Sequence, residues 1–196
     1  MATVGYINSV QEIYIAYYGR PADPAGLNYW VGRLTAVNGD LNEIIDAFAN
    51  STEALALYGP INNATIGDVI DSIYMSLFNR LPDAAGKAWY MAGFANGTYT
   101  SGEIALNILD GAQGADQVII NNKVAVANNF TSDLDTPVEL QAYAGDVPAG
   151  IARDMLAEVD VDTNADTYYG VDSAIAQMVG GGVTHVFTLT EAMLKQ

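Results

Sequence analysis

Cysteine is absent from the chain, which removes disulfide frameworks, thiolate zinc sites and cysteine nucleophiles together. Histidine occurs once, at His185, so neither a histidine-based triad nor a multi-histidine metal site can be assembled. Basic residues number only 7 against 23 acidic ones, a formal net charge of −16. That charge repels phosphate backbones, which excludes nucleic acid as a partner, and it disfavours simple docking on anionic membranes. No apolar run is long enough to span a bilayer, so the chain is expected not to be membrane-spanning. The first residues, MATVGYINSV, lack the basic region and apolar core of a cleavable secretory signal. Export would then require a route that reads a C-terminal signal. With no nucleophile, cofactor loop or metal constellation of the kinds that carry chemistry, the reading is non-enzymatic. Carboxylate pairs able to hydrolyse a glycoside will occur by chance among so many acids.

What the chain does contain is a duplication. The stretch Val10 to Leu34, VQEIYIAYYGRPADPAGLNYWVGRL, recurs as Val69 to Ala95, VIDSIYMSLFNRLPDAAGKAWYMAGFA. A single gapless offset of sixty sets Tyr14 on Tyr74, Arg20 on Arg80, Asp23 on Asp83, Gly26 on Gly86, and the pair Tyr29, Trp30 on Trp89, Tyr90. Each copy opens with apolar residues at helical spacing, stops at a turn, and restarts at an aspartate that suits an N-cap, followed in the first copy by Pro24 at the first helical position. Arg20 with Asp23, and Arg80 with Asp83, are read as structural turn pairs, guanidinium to carboxylate and to free backbone carbonyls.

The offset continues, setting Ile44 on Ile104 and Phe48 on Ile108, and predicts about three helices per copy. A hydrophobic content of 51% against 15% charged residues describes a folded globular chain. The expected fold is all-α: residues 1–133 form a tandem helical repeat region, with copies at about 4–59 and 64–133. Further helices over 134–182 pack on it, one of them opened by the capping-box spacing of Thr136-Pro137-Val138-Glu139. The run Gly180-Gly181-Gly182 is expected to end the helical region, and the β-branched and aromatic stretch from Val183 to Leu189 to form a terminal strand or linker within 183–196, with His185 half-exposed on it.

Two patterns are candidates for binding. Asp160, Asp162, Asn164 and Asp166 alternate as the oxygen ligands of a calcium loop begin, with Asp172 as the nearest carboxylate to complete the set. Ala165 stands where such a loop needs glycine and Val171 where it needs glutamate; the competing reading is a solvated acidic loop capping the next helix. The second pattern is aromatic. Most of the tyrosines and tryptophans belong to the core face, but Tyr29 and Trp30, like Trp89 and Tyr90, point about 100° apart on a helix and cannot share one direction. One of each pair is expected to face solvent, and Asn28, Tyr29, Tyr90 and Asn96 are the candidates for polysaccharide binding. The competing reading makes these faces contacts between protomers.

The motif Y-x3-Y-G-R-x2-D-x2-G-x2-Y-W, as it stands from Tyr14 to Trp30, resembles the repeat of a domain of unknown function found in bacterial secreted proteins. The resemblance extends over about Val4 to Asp133, including Asn122 to Ala127 and Phe130-Thr131, which look like that family's closing helix. It is similar to segments of S-layer proteins, RTX-type proteins and adhesins exported by type I secretion, and the VFTLT stretch resembles the lead-in to their calcium-binding β-rolls, which implies a longer protein. The family brings no catalytic residues to transfer. What the resemblance implies is an extracellular, cell-surface module that anchors an S-layer or related protein to outer-membrane lipopolysaccharide, with calcium as an assisting ion. The alternative is a self-assembly module making lattice or filament contacts with copies of itself and no sugar. A looser likeness to phycobilisome linker domains is opposed by the charge, since those linkers tend to be basic.

Overall fold

The computed structural model describes the backbone of residues 2–193 and the side chains of residues 5–181. Among the described residues eleven helices follow in order: α1 (Ala2–Tyr18), α2 (Pro24–Ala36), α3 (Asn42–Ala49), α4 (Thr52–Tyr58), α5 (Ile66–Phe78), α6 (Ala84–Ala95), α7 (Ser101–Asp110), α8 (Ala115–Asp133), α9 (Pro137–Ala142), α10 (Asp146–Ala157) and α11 (Gly170–Met193). The fold is all-α, with no strand among the described residues.

The duplicated motif builds the same turn twice. Gly19 ends α1 at φ +65° and Asn79 ends α5 at φ +56°; glycine and asparagine are the residues that adopt this left-handed conformation with least strain. Four residues on, Asp23 accepts a hydrogen bond from the Gly26 amide at 2.8 Å, and Asp83 accepts one from Gly86 at 2.8 Å. These are side-chain N-caps of α2 and α6. Gly26 is required there because a Cβ would collide with the Tyr14 hydroxyl.

The repeat proves to be four helices long rather than three: α1 to α4 and α5 to α8. The fourth helix is short in the first copy and long in the second, and the offset grows from sixty to 63 (116 − 53) by the time Glu53 and Asp116 stand at equivalent places, each the second residue of its helix. Like elements pack on like: α1 lies against α5, and α3 against α7. The buried seam they make, from Val10, Ile13 and Tyr17 through Phe48 to Ile70, Ile73 and Ile104, continues without a break into Val126 and Phe130 of α8. The helices after the repeats join the same core, α11 packing on α8, α9 and α10 through Val171, Ala174, Ile175 and Met178.

The capping box at Thr136 and Glu139 forms as its spacing predicts, and the structure shows another at Thr100 and Glu103 that opens α7. The expected terminal strand does not form. Residues 183–189 continue the helix α11, and the glycine run lies inside it. A single strand would leave its backbone donors and acceptors without partners, whereas a helix satisfies its own. The His185 side chain lies outside the described residues.

Candidate functional site

The turn pairs resolve differently from the expectation. Arg20 does not close on Asp23, which is engaged in capping α2. It reaches across to α4, donating Nε to Glu53 Oε1 at 2.7 Å and Nη2 to Oε2 at 2.6 Å, while Nη1 bonds the carbonyl of Pro21 at 3.0 Å. Arg80 repeats this with Asp116, at 2.9 and 2.5 Å, and with the carbonyl of Leu81 at 3.1 Å. The guanidinium also sits over the ring of Tyr14 in one copy and Tyr74 in the other, each at 5.3 Å. Glu53 and Asp116 were illegible as partners because they lie 33 and 36 residues downstream. The first copy adds a third charge: Arg153 of α10 donates Nη2 to Glu53 at 2.9 Å and Nε to the carbonyl of Tyr18 at 2.7 Å. These clusters fasten helix to helix.

On the outer side of each repeat the aromatic pair splits as its geometry requires. Tyr29 is 58% exposed, while Trp30 turns in against Phe48 at a ring separation of 4.6 Å. In the second copy it is Trp89, not Tyr90, that faces out, at 55% exposed. Tyr90 is half-buried on the core side, and burial pushes its phenol up to about 12. The outward position is thus the first of each pair, sixty residues apart, and Trp89 replaces Tyr90 among the candidates for contact with a ligand. Each outer ring is propped by its neighbour: Tyr29 against the edge of Trp30 at 5.0 Å, Trp89 against Tyr90 at 4.9 Å and tilted on Tyr99 at 5.2 Å. Tyr99 can lie there because Gly93 has no Cβ to strike its ring; the first copy has Arg33 and Gly39 at the matching positions and lacks this third ring.

Asn28 is exposed next to Tyr29. Asn96 closes α6 and turns its Oδ1 to the amide and hydroxyl of Thr98, at 3.0 and 2.5 Å, which leaves its amide nitrogen as the half able to serve a ligand.

The acidic loop between α10 and α11 uses its oxygens on itself. Asp160 Oδ1 accepts from the amide of Asp162 and the hydroxyl of Thr163, both at 3.0 Å, and Asn164 Oδ1 accepts from the amide of Asp166 at 3.0 Å. Asp172 belongs to the first turn of α11. Among the described residues no three acidic or histidine side chains stand together as a metal-holding group. In this arrangement the loop reads as a chain of side-chain-capped turns.

Residues 5–58 match the model of a family described as a domain of unknown function (DUF4214). The matched stretch closes with α4, at the end of the first four-helix unit. No curated protein and no solved structure matches the chain.

Proposed function

We propose that the chain is a non-enzymatic module that binds a cell-surface polysaccharide through the outer aromatic faces of its two repeats and so holds a larger secreted protein at the cell exterior, with the O-polysaccharide of lipopolysaccharide as its ligand. The observation that carries this reading is the recurrence of one exposed ring, Tyr29 and then Trp89, at equivalent places on α2 and α6, each braced by an aromatic neighbour, with the exposed amide of Asn28 next to the first. A fixed aromatic face beside amide donors is what sugar recognition uses: the apolar C–H side of a pyranose stacks on the ring and its hydroxyls take hydrogen bonds. Two such faces on one rigid body would engage a repeating polymer twice, with the gain that linked sites bring. The surface and secretion context rests on the motif resemblance.

The second reading, self-assembly through these faces, is favoured by the further exposure of Leu81 and Val118 in the second repeat. Sedimentation with outer-membrane vesicles that carry or lack long polysaccharide, with calcium and with chelator, separates the two. Binding only where polysaccharide is present, lost in Tyr29→Ala and Trp89→Ala, is the expected result; absence of binding in all four conditions would sink the anchoring reading.

A further inference from the structure

The turns that end α1 and α5 meet α4 and α10 at an open cleft of about 620 Å³, within the size range of small-molecule sites. Its walls are apolar at Leu57 and Met75 and polar at Ser72, Ser76 and Arg153. Of only 7 basic residues in a chain of net charge −16, Arg153 lines the cleft and Arg20 is joined to it through the shared carboxylate of Glu53. Lys123 stands behind the wall, fully buried, with Nζ at 2.6 Å from both the carbonyl of Ser76 and Oδ1 of Asn79. Both of those partners are neutral. Of the residues that line the cleft, Arg153 carries the one positive charge and Asp154, exposed at the rim, the one negative; Arg20 and Lys123 stand behind its walls.

Arg153 is also held in place without being used up. Its Nε and Nη2 are fixed by Tyr18 and Glu53, and the edge made by Nη1 and Nη2 has no protein acceptor on Nη1 among the described residues. Such an edge offers two parallel donors to a carboxylate, at a site where the guanidinium is already ordered. Beside it, the oxygen of Ser76 and the accepting lone pair of Ser72 suit the hydroxyls of a sugar ring, and Leu57 and Met75 its C–H face.

We propose that this cleft binds the carboxylate of an acidic sugar residue, anchored on the free edge of Arg153. The sugar part rests on the polysaccharide reading above; the carboxylate part rests on the cleft alone. It adds to the neutral, aromatic faces of the repeats a second subsite that selects charge.

The test is an amide-resolved NMR titration of the whole 196-residue chain with glucuronate, glucose and glucose 6-phosphate at low salt. Glucuronate is expected to shift the amides of Gly19 and Ser76, and glucose at the same concentration to leave them in place. The phosphate arm separates the two sources of negative charge: tighter binding of glucose 6-phosphate than of glucuronate would overturn the carboxylate assignment. Met75→Glu puts a like charge on an exposed cleft wall and should weaken glucuronate at least about fivefold, while Met75→Gln keeps it. The same spectra report whether each variant is folded. Glucose binding as well as glucuronate, or Met75→Glu binding as tightly as the unaltered chain, would also overturn the proposal. Failure of the aromatic-face reading would appear separately, as vesicle binding untouched by Tyr29→Ala and Trp89→Ala, with the glucuronate shifts unaffected.

Discussion

Arg20 keeps 13% of its side chain exposed and Glu53 27%, whereas Arg80 keeps 48%; the same interaction is thus made at two depths. Charge pairs near the surface are worth little because water screens them, while breaking one that is largely withdrawn from water leaves the survivor poorly solvated. Glu53 has a further load, since Arg153 shares it. Glu53→Gln is therefore expected to cost about 3 kcal/mol, and Arg80→Ala under about 1 kcal/mol. Urea unfolding followed by circular dichroism measures both, and equal losses would contradict the depth argument. Glu12 is a different case. Burial, with the carboxylate of Asp110 adding to it, pushes its carboxyl from 4.5 up to about 7. Between those values the folded chain holds a proton that the unfolded chain has released, so this contribution is full below 4.5 and is lost as pH rises through 7. Lys123, pushed down to about 8 by burial, acts in a higher window. The unaltered chain should lose stability from pH 5 to 8 more steeply than Glu12→Gln does, measured by thermal midpoint; parallel curves would rule this out.

At the scale of the element, the two turns show how one geometry is reached by two residues. Gly19 gets the left-handed backbone at no steric cost, whereas Asn79 accepts it and puts its side chain to use, donating to the carbonyl of Val159 at 2.8 Å and accepting from Lys123. Asn79→Gly keeps the backbone and loses those bonds; Asn79→Ala loses the bonds and strains the turn. Alanine should therefore be the worse substitution by about 1 kcal/mol, and the reverse order in chemical denaturation would contradict the account. Helix starts were legible in the sequence because a cap is local: Asp23 with Pro24 and Thr136 with Glu139 carry their signal within four residues. The arginine partners were not, because a three-residue lengthening before Asp116 breaks the offset that found everything else. The stretch from Val183 to Leu189 misled for a related reason. Its β-branched residues express a weak preference that holds only where a neighbouring strand receives it. Of the candidate site, Asn28 and Tyr29 could be placed from helical spacing; the choice of Trp89 over Tyr90 follows the equivalence of the two copies, which the aromatic order Tyr-Trp against Trp-Tyr conceals.

Across the whole molecule, the repeats meet like against like, as two subunits of a symmetric dimer do, and the seam takes up α1, α3, α5 and α7. The faces of α2 and α6 that carry Tyr29 and Trp89 are left outside it. Sugar bound on those faces by stacking should be nearly indifferent to salt, whereas a carboxylate bound at Arg153 should weaken as salt rises. Only two tryptophans occur in the chain, one turned inward and one 55% exposed, which makes fluorescence a direct probe. In Trp30→Phe, with Trp89 as the single reporter, titration with purified O-polysaccharide should shift emission to shorter wavelength and protect it from iodide quenching. Polysaccharide that binds the chain while leaving Trp89 emission and quenching unchanged would contradict the claim that the repeats hold it through their outer aromatic rings.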